Sequence, residues 1–207
     1  MVSSKVAEKI GLGMPLALQA ISLGIIALLW WWLATPVMLD RVPFDPSAKL
    51  DCISYAPFRA GQNPLTPGLV IDRERIKADM VQLAGISNCI RTYSTGNGLD
   101  QLPAIAGEQG LKVLLGVWIG TSPLENARQI ETAINLVKQN PQTISAVVVG
   151  SEVLLRKEMT ASDLAGIIRS VKARVAVPVT YADVWEYWLR NRDVGASVRH
   201  GGLQETR

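Results

Sequence analysis

Residues 147–152 read Val147-Val148-Val149-Gly150-Ser151-Glu152, a short apolar run that ends on a carboxylate. Charges are seldom buried unpaired, so Glu152 needs a reason to follow a core strand directly. The strand itself is predicted over Ala146–Gly150, and it is one of five. The others are Cys52–Tyr55, Cys89–Tyr93, Lys112–Ile119 and Val177–Tyr181. Several are short and rich in Val and Ile, as buried parallel strands are. Amphipathic helical stretches alternate with them. Asp72–Ala84 places Ile76, Met80, Leu83 and Ala84 on one face, with Gly85 as its stop. Ser122-Pro123-Leu124-Glu125 is a capping box with proline at the first helical position. Ala127, Ile130, Ile134 and Val137 then form the expected buried stripe, ended by Asn140-Pro141. Thr160-Ala161-Ser162-Asp163 opens the next helix by related capping, with Leu164, Ile167, Ile168 and Val171 facing inward.

Repeated βα units imply parallel strands joined by right-handed crossovers. An open doubly wound sheet and a (β/α)₈ barrel both suit that pattern. Five strands would complete the first and only part of the second, so the residues at the strand ends decide. In a barrel the reacting groups stand at the C-terminal strand ends. Tyr55, Tyr93, Trp118, Glu152 and the Tyr181-Ala182-Asp183 stretch all fall there. The fold expected is therefore α/β, a partial (β/α)₈ barrel of about five of its eight units, preceded by one transmembrane helix. For Glu152 a local reading stays open: pairing with Arg156 or Arg91, or capping of the following helix. Tyr55, Tyr93, Trp118, Tyr181, Trp185 and Trp188 offer flat rings of the kind that carbohydrate clefts stack on sugars. Aromatic rings near strand ends are also ordinary core filling.

The chain has 207 residues and a net charge of +3, without a basic run, which gives no support to nucleic-acid binding. Its single histidine, His200, argues against a Ser-His-Asp triad or a histidine-rich metal site, so no metal and no cofactor is expected. Cys52 and Cys89 are expected as two buried free thiols, with pairing open if the compartment is oxidising. From Ile10 to Leu39 there is no charged residue, and about 20 apolar residues cross a bilayer. Trp30, Trp31 and Trp32 sit near the far end, where indoles favour the membrane interface, and Lys5 and Lys9 precede the run. The expected organisation is a cytoplasmic N-terminus over residues 1–13, a signal anchor over 14–39 and a linker over 40–49. A partial barrel over 50–196 and an aberrant tail over 197–207 complete it, with the barrel on the outer side of the inner membrane.

The strings ISYAPFR (Ile53–Arg59), IRTYS (Ile90–Ser94), GLKVLLGVWIG (Gly110–Gly120), VVVGSEVLLR (Val147–Arg156) and PVTYADVWEYW (Pro178–Trp188) resemble the bacterial branch of glycoside hydrolase family 17. That branch includes β-1,3-glucanases, glucan transglycosylases and β-(1,6)-glucan synthases. The resemblance covers roughly Leu50 to Ala196 and implies a (β/α)₈ barrel with a retaining double displacement on β-linked glucose polymers. It implies Glu152 as the general acid/base, with Tyr55, Arg91, Tyr93, Trp118, Ser151, Tyr181, Asp183 and Trp185 lining the substrate subsites. Ser151 stands where the family has an asparagine that contacts the sugar 2-hydroxyl.

The family's nucleophile glutamate ends a seventh strand, and Ser197 to Arg207 fits neither strand nor helix by its pattern. The expectation is a frameshift or premature stop at that junction and a chain inactive by itself. A C-terminal barrel half, or a synthase module with further membrane helices, is the partner that would complete it. Asp183 and Glu186 are not expected to replace the nucleophile. The competing reading is a membrane-tethered, non-catalytic glucan-binding or assembly protein. A third, an open α/β domain with an unrelated ligand, calls for a Gly-rich phosphate turn after the first strand, and Ala56-Pro57-Phe58-Arg59 offers none.

Overall fold

The computed structural model describes residues 3–37 and 48–198, the first eleven of these (3–13) by their backbone alone. The linker expected over 40–49 lies outside the described residues for 40–47, and so does the tail from 199 on, His200 included. The chain divides into two compact units, Met1–Pro46 and Ser47–Arg207.

The first unit holds helix α1 (Ser3–Leu33). Over Met14–Leu33 it is 20 residues of apolar helix, long enough to cross a membrane. Its one polar hydroxyl in that stretch, Ser22, donates back to the Leu18 carbonyl at 2.9 Å, which keeps the group satisfied inside the helix.

The second unit is a parallel sheet of five strands, β1 (Ile53–Ser54), β2 (Cys89–Arg91), β3 (Lys112–Val117), β4 (Ile144–Ser151) and β5 (Val179–Ala182). Their spatial order is β1-β2-β3-β4-β5, each strand beside its predecessor. A doubly wound sheet reverses its order at a switch point, whereas a (β/α)₈ barrel adds strands in sequence. The order therefore decides for the partial barrel. Between and after the strands stand α2 (Arg73–Ala84), α3 (Leu102–Glu108), α4 (Pro123–Gln139), α5 (Ala161–Lys172), α6 (Trp185–Arg190) and α7 (Arg192–Val198).

The register puts Ile53, Ile90 and Val113 on one face, continued by Leu115, Val117, Val147, Val149 and Val179. That face forms a single core cluster with Ile76 and Met80 of α2, Ala133 and Leu136 of α4, and Leu164 and Ile168 of α5. The opposite face is less covered: Leu114 and Ala146 are half-buried, and Ser54 and Thr180 are exposed.

Both N-caps form, but the capping box expected at Ser122 is made only in its first half, because the Glu125 carboxylate accepts from Arg128 and Gln129. Ser122 Oγ accepts from the Glu125 N–H at 3.4 Å and Thr160 Oγ1 from the Asp163 N–H at 3.2 Å. Gly85 ends α2 as expected, in right-handed geometry (φ −70°). Three expectations need correction. The inward stripe of α4 runs through Asn126, Gln129, Ala133, Ile134 and Val137, while Ala127 is exposed, because the helix turns polar amides toward the loops above the sheet. Ser197 and Val198 end α7, although their pattern fits no element, because Ser197 is buried and its hydroxyl donates to the Val194 carbonyl at 2.7 Å. Cys52 and Cys89 are bonded to each other, and Cys52 is exposed. The register opposes Ile53 to Ile90, so the residues before them face each other across adjacent strands with Cα atoms 4.3 Å apart.

The bridge ties the edge strand β1, two residues long, to its neighbour across a sequence separation of 37. Closing a loop of that length corresponds to about 4 kcal/mol. Reduction with dithiothreitol is expected to lower the thermal midpoint by about 10 °C, and thiol titration of the unreduced chain to find no free cysteine. Two titratable thiols before reduction, with a midpoint insensitive to it, would contradict the bridge.

Candidate active site

The C-terminal end of β4 departs from regular pairing where the candidate acid stands. Val148 pairs with Thr180 and Ser151 with Ala182, so an advance of three residues on β4 faces two on β5. The extra residue is accommodated at Gly150, whose φ of 81° favours glycine. Glu152 follows at φ 58°, a left-handed conformation that costs a non-glycine residue about 1–2 kcal/mol. Its N–H donates to the Ala182 carbonyl at 2.7 Å and its carbonyl accepts from Arg156 N at 2.9 Å, which hold the turn. The Glu152 side chain is exposed. Among the described residues its carboxylate has no ion pair and no hydrogen bond.

Neither arginine considered as a partner for Glu152 takes that role. Both grip Ser151 instead. Arg91 donates to Ser151 Oγ at 3.1 Å, and Arg156 donates to the Ser151 carbonyl. Arg156 also reaches the Ile119 carbonyl at 3.2 Å and pairs with Glu158 at 2.6 Å. Each guanidinium lies over an aromatic ring, Arg91 over Tyr93 at 4.8 Å and Arg156 over Trp118 at 4.5 Å. Two cation–ring stacks thus flank the residue that precedes Glu152. The close approach of β2 to β3 that this needs is permitted by Gly116, where a Cβ would stand 2.1 Å from the Thr92 carbonyl oxygen.

Tyr93 and Trp118 open onto a cleft of about 790 Å³ at the ends of β1–β3. One wall is the loop after β1, over residues 63–70; the other is formed by Ser94, Glu125, Arg128 and Gln129. Glu152 lies one strand further along and is not among the lining residues. Of the remaining residues singled out from the sequence, Trp185 is 74 % exposed at the start of α6. Tyr55 and Tyr181 are enclosed, at 8 % and 4 % exposure, so neither ring face is open to a sugar. Tyr55 lines the cleft only by its edge of surface and donates to Asp79 at 2.8 Å. Tyr181 packs on Trp188, donates to the Asp183 carboxylate and accepts from the Leu154 N–H at 3.1 Å. Asp183 is held in addition by the Val184 N–H at 2.8 Å. It braces the β5 end and has little capacity left for a ligand.

Sequence reasoning missed the groups beneath the cleft. Asn126 accepts from Gly120 N and donates to Gly120 O, both at 2.8 Å, fixing the turn after Trp118. Gln129 accepts from Thr95 N and Thr95 Oγ1, both at 2.8 Å. Their signal is helical spacing: Asn126, Gln129, Ala133 and Val137 form one stripe, which a polarity pattern breaks at its first two members. Among the described residues no group of three or more His, Cys, Asp or Glu side chains is placed to hold a metal ion.

The family described as the BtgE/BtgC glycoside hydrolase domain matches residues 52–199, and the chain belongs to it. A glucan 1,3-β-glucosidase of Schizosaccharomyces pombe is 37 % identical over 125 residues, covering 54 % of this chain and 38 % of that protein. A glucan 1,3-β-glucosidase of Candida albicans is 30 % identical over 133 residues, covering 58 % and 43 %. The chain spans less than half the length of either relative. Among solved structures, an active-site mutant of Rhizomucor miehei β-1,3-glucanosyltransferase in complex with laminaritriose superposes with a TM-score of 0.57. It is 24 % identical, and the match covers 72 % of this chain and 54 % of that one. All three organisms are fungi, and the bacterial branch suggested by the motifs draws no support from them.

Burial, together with the carboxylates they donate to, raises the Tyr55 and Tyr181 hydroxyls well above the ordinary tyrosine range. A pKa raised in the folded state adds stability that is complete below the unfolded value, about 10, and is lost as pH rises beyond it. The thermal midpoint is expected to fall between about pH 9 and pH 11, and to fall less steeply in Tyr55→Phe/Tyr181→Phe. Identical slopes in the two proteins would refute this account.

Proposed function

We propose that this chain carries the acid/base side of a retaining β-glucan hydrolase or transglycosylase, with Glu152 as general acid/base. The observation that carries the reading is the Ser151-Glu152 turn. Its backbone is held by Arg156 and by Ala182, while the carboxylate stays exposed and unpaired among the described residues. A retaining glycosidase needs one such carboxyl to protonate the leaving oxygen and then to activate the incoming water or sugar hydroxyl. When a sugar hydroxyl outcompetes water, the product is a transferred glucan. Membership of a glycoside hydrolase family supports this chemistry. The glucan-directed names of the two relatives and the laminaritriose in the R. miehei complex support the substrate class.

Tyr93 and Trp118 within the cleft, and the exposed Trp185 outside its lining at the start of α6, are the stacking surfaces, and Arg91 with Ser151 supplies hydrogen bonds beside Glu152. Tyr55, Tyr181 and Asp183 serve as supports beneath them. A retaining mechanism also needs a second carboxylate about 5–5.5 Å from the first. At the ends of the described strands, Asp183 is engaged by Tyr181 and Glu158 by Arg156. The chain by itself is therefore expected to bind glucan without turnover, with a C-terminal barrel half or a synthase module as the completing partner. The position of the cleft over β1–β3, with Glu152 outside its lining, favours a second reading as a tethered glucan-binding protein.

The proposed setting is a single-pass anchor over 14–39 in the inner membrane, with the barrel segment, 50–196, on the outer side. Supporting it are the apolar helix, with Lys5 and Lys9 before it, and a disulfide suited to an oxidising compartment.

The test is a laminaritriose titration of the full chain in detergent micelles, followed by tryptophan fluorescence, with reducing-sugar release measured in parallel. Binding without release is expected, with affinity lowered about tenfold by Trp118→Ala and unchanged by Glu152→Gln. No binding would sink the glucan reading. Release that Glu152→Gln abolishes would show a chain active alone and overturn the binding-only expectation.

A further inference from the structure

We propose that Asn97 is a positioning residue that sets the width of the glucan cleft by pinning its outer wall, an inference that rests on the glucan-binding reading above. The wall is the segment over 63–70, whose eight residues all line the cleft, and it enters the core at the buried Ile71. Leu65 and Val70 on it are 71 % and 67 % exposed, so little apolar packing holds it down. Its internal bonds are local: Thr66 N to Asn63 O, Leu69 N to Thr66 O, and Leu65 N to the Asn63 side chain. Every hydrogen bond that ties the wall to another part of the described chain goes to Asn97. The Asn97 amide donates to Pro64 O at 3.2 Å and to Leu69 O at 2.9 Å, and its backbone carbonyl accepts from Ile71 N at 2.8 Å.

Asn97 is itself held from below. It sits at φ 57°, a left-handed conformation that asparagine tolerates better than most residues. Two residues earlier, Thr95 is fastened by its N–H and its hydroxyl to the buried Gln129 of α4, and Ser94 donates to the same amide oxygen at 3.2 Å. Gln129 in turn donates to Glu125 at 3.2 Å. A hydrogen-bonded chain thus runs from α4 through the β2 loop to the far wall, facing Tyr93 and Trp118 across the cleft. A sugar lying against the rings meets a wall that, short of its buried end at Ile71, is tied to the rest of the described chain by one side-chain amide. Loss of that amide leaves the core untouched, since the core cluster contains no residue of 63–70.

The experiment compares the full chain in detergent micelles with Asn97→Gly and Asn97→Asp, by hydrogen exchange without ligand and by binding of laminaritriose and a longer laminari-oligosaccharide. Glycine keeps the positive φ at no steric cost and removes the pin. Aspartate keeps the shape and points an acceptor at two carbonyls. In both variants the amides of residues 65–70, the proline at 67 apart, are expected to exchange at least about tenfold faster. Affinity for the longer sugar is expected to fall about tenfold, more than for laminaritriose, with the thermal midpoint within about 3 °C of the parent. A merely structural role would move the midpoint and weaken both sugars alike. Unchanged exchange overturns the pin, and faster exchange with unaltered binding overturns its part in sugar recognition. If the parent binds neither sugar, the glucan reading and this role fall together, whereas unchanged exchange beside intact parental binding refutes the pin alone.

Discussion

Each strand of the sheet pairs in parallel with the strand before it, and the rest of the molecule follows from that rule. Parallel neighbours cannot be joined by a tight turn, so every connection must cross over through a helix or long loop. Because the order never reverses, all five C-terminal ends gather along one edge, and the loops that leave them become neighbours. Arg91, Trp118, Ser151 and Asp183 are brought together in this way from residues up to 92 apart in the chain, counting from Arg91 to Asp183. The same rule gives the two faces their different burdens. One packs against α2, α4 and α5 in a continuous apolar core, and the other carries Arg91, Gly116 and the Ser151 end of β4.

On that edge the candidate site rests on short polar contacts made where the ladder is irregular. The extra residue at Gly150 turns the β4 end out of its pairing and presents Glu152 to solvent. An unconstrained turn would leave the carboxylate poorly aimed. Arg91 and Arg156 hold Ser151 from its side chain and its backbone while covering Tyr93 and Trp118. The positions of the rings and of Glu152 are therefore coupled through one serine. Below them the buried amides of Asn126 and Gln129 satisfy backbone groups of the β3 and β2 loops that water would otherwise have to reach.

Much of the framework was legible because its signals are local. The Val-rich run before Glu152, the caps at Ser122 and Thr160, and the inward faces of α2 and α5 depend on residues a few positions apart, and they read correctly. The candidate site was legible in part. Glu152, Tyr93, Trp118 and Trp185 lie at strand ends with open surface, and position along a strand can be read from the chain. Tyr55 and Tyr181 lie at the same kind of position but are enclosed by Asp79 and by Trp188 with Asp183, partners that no spacing in their own strands announces. The polar members of the α4 stripe were hidden for a related reason. Amides on a buried face look like a break in the pattern until the loops they bond are in place.

The sequence by itself determined the alternation of strand and helix, the apolar segment long enough to cross a membrane, and the placing of a carboxylate where a core strand ends. These follow from periodicity, length and the cost of burying charge, all of which act within one segment. Only the tertiary structure decided the in-order pairing of the strands, the bond between Cys52 and Cys89, the transfer of both arginines from Glu152 to Ser151, and the hanging of a cleft wall on Asn97. Each depends on which distant residues come to lie 3–4 Å apart, and that distance is set by strand register and by bulges of a single residue.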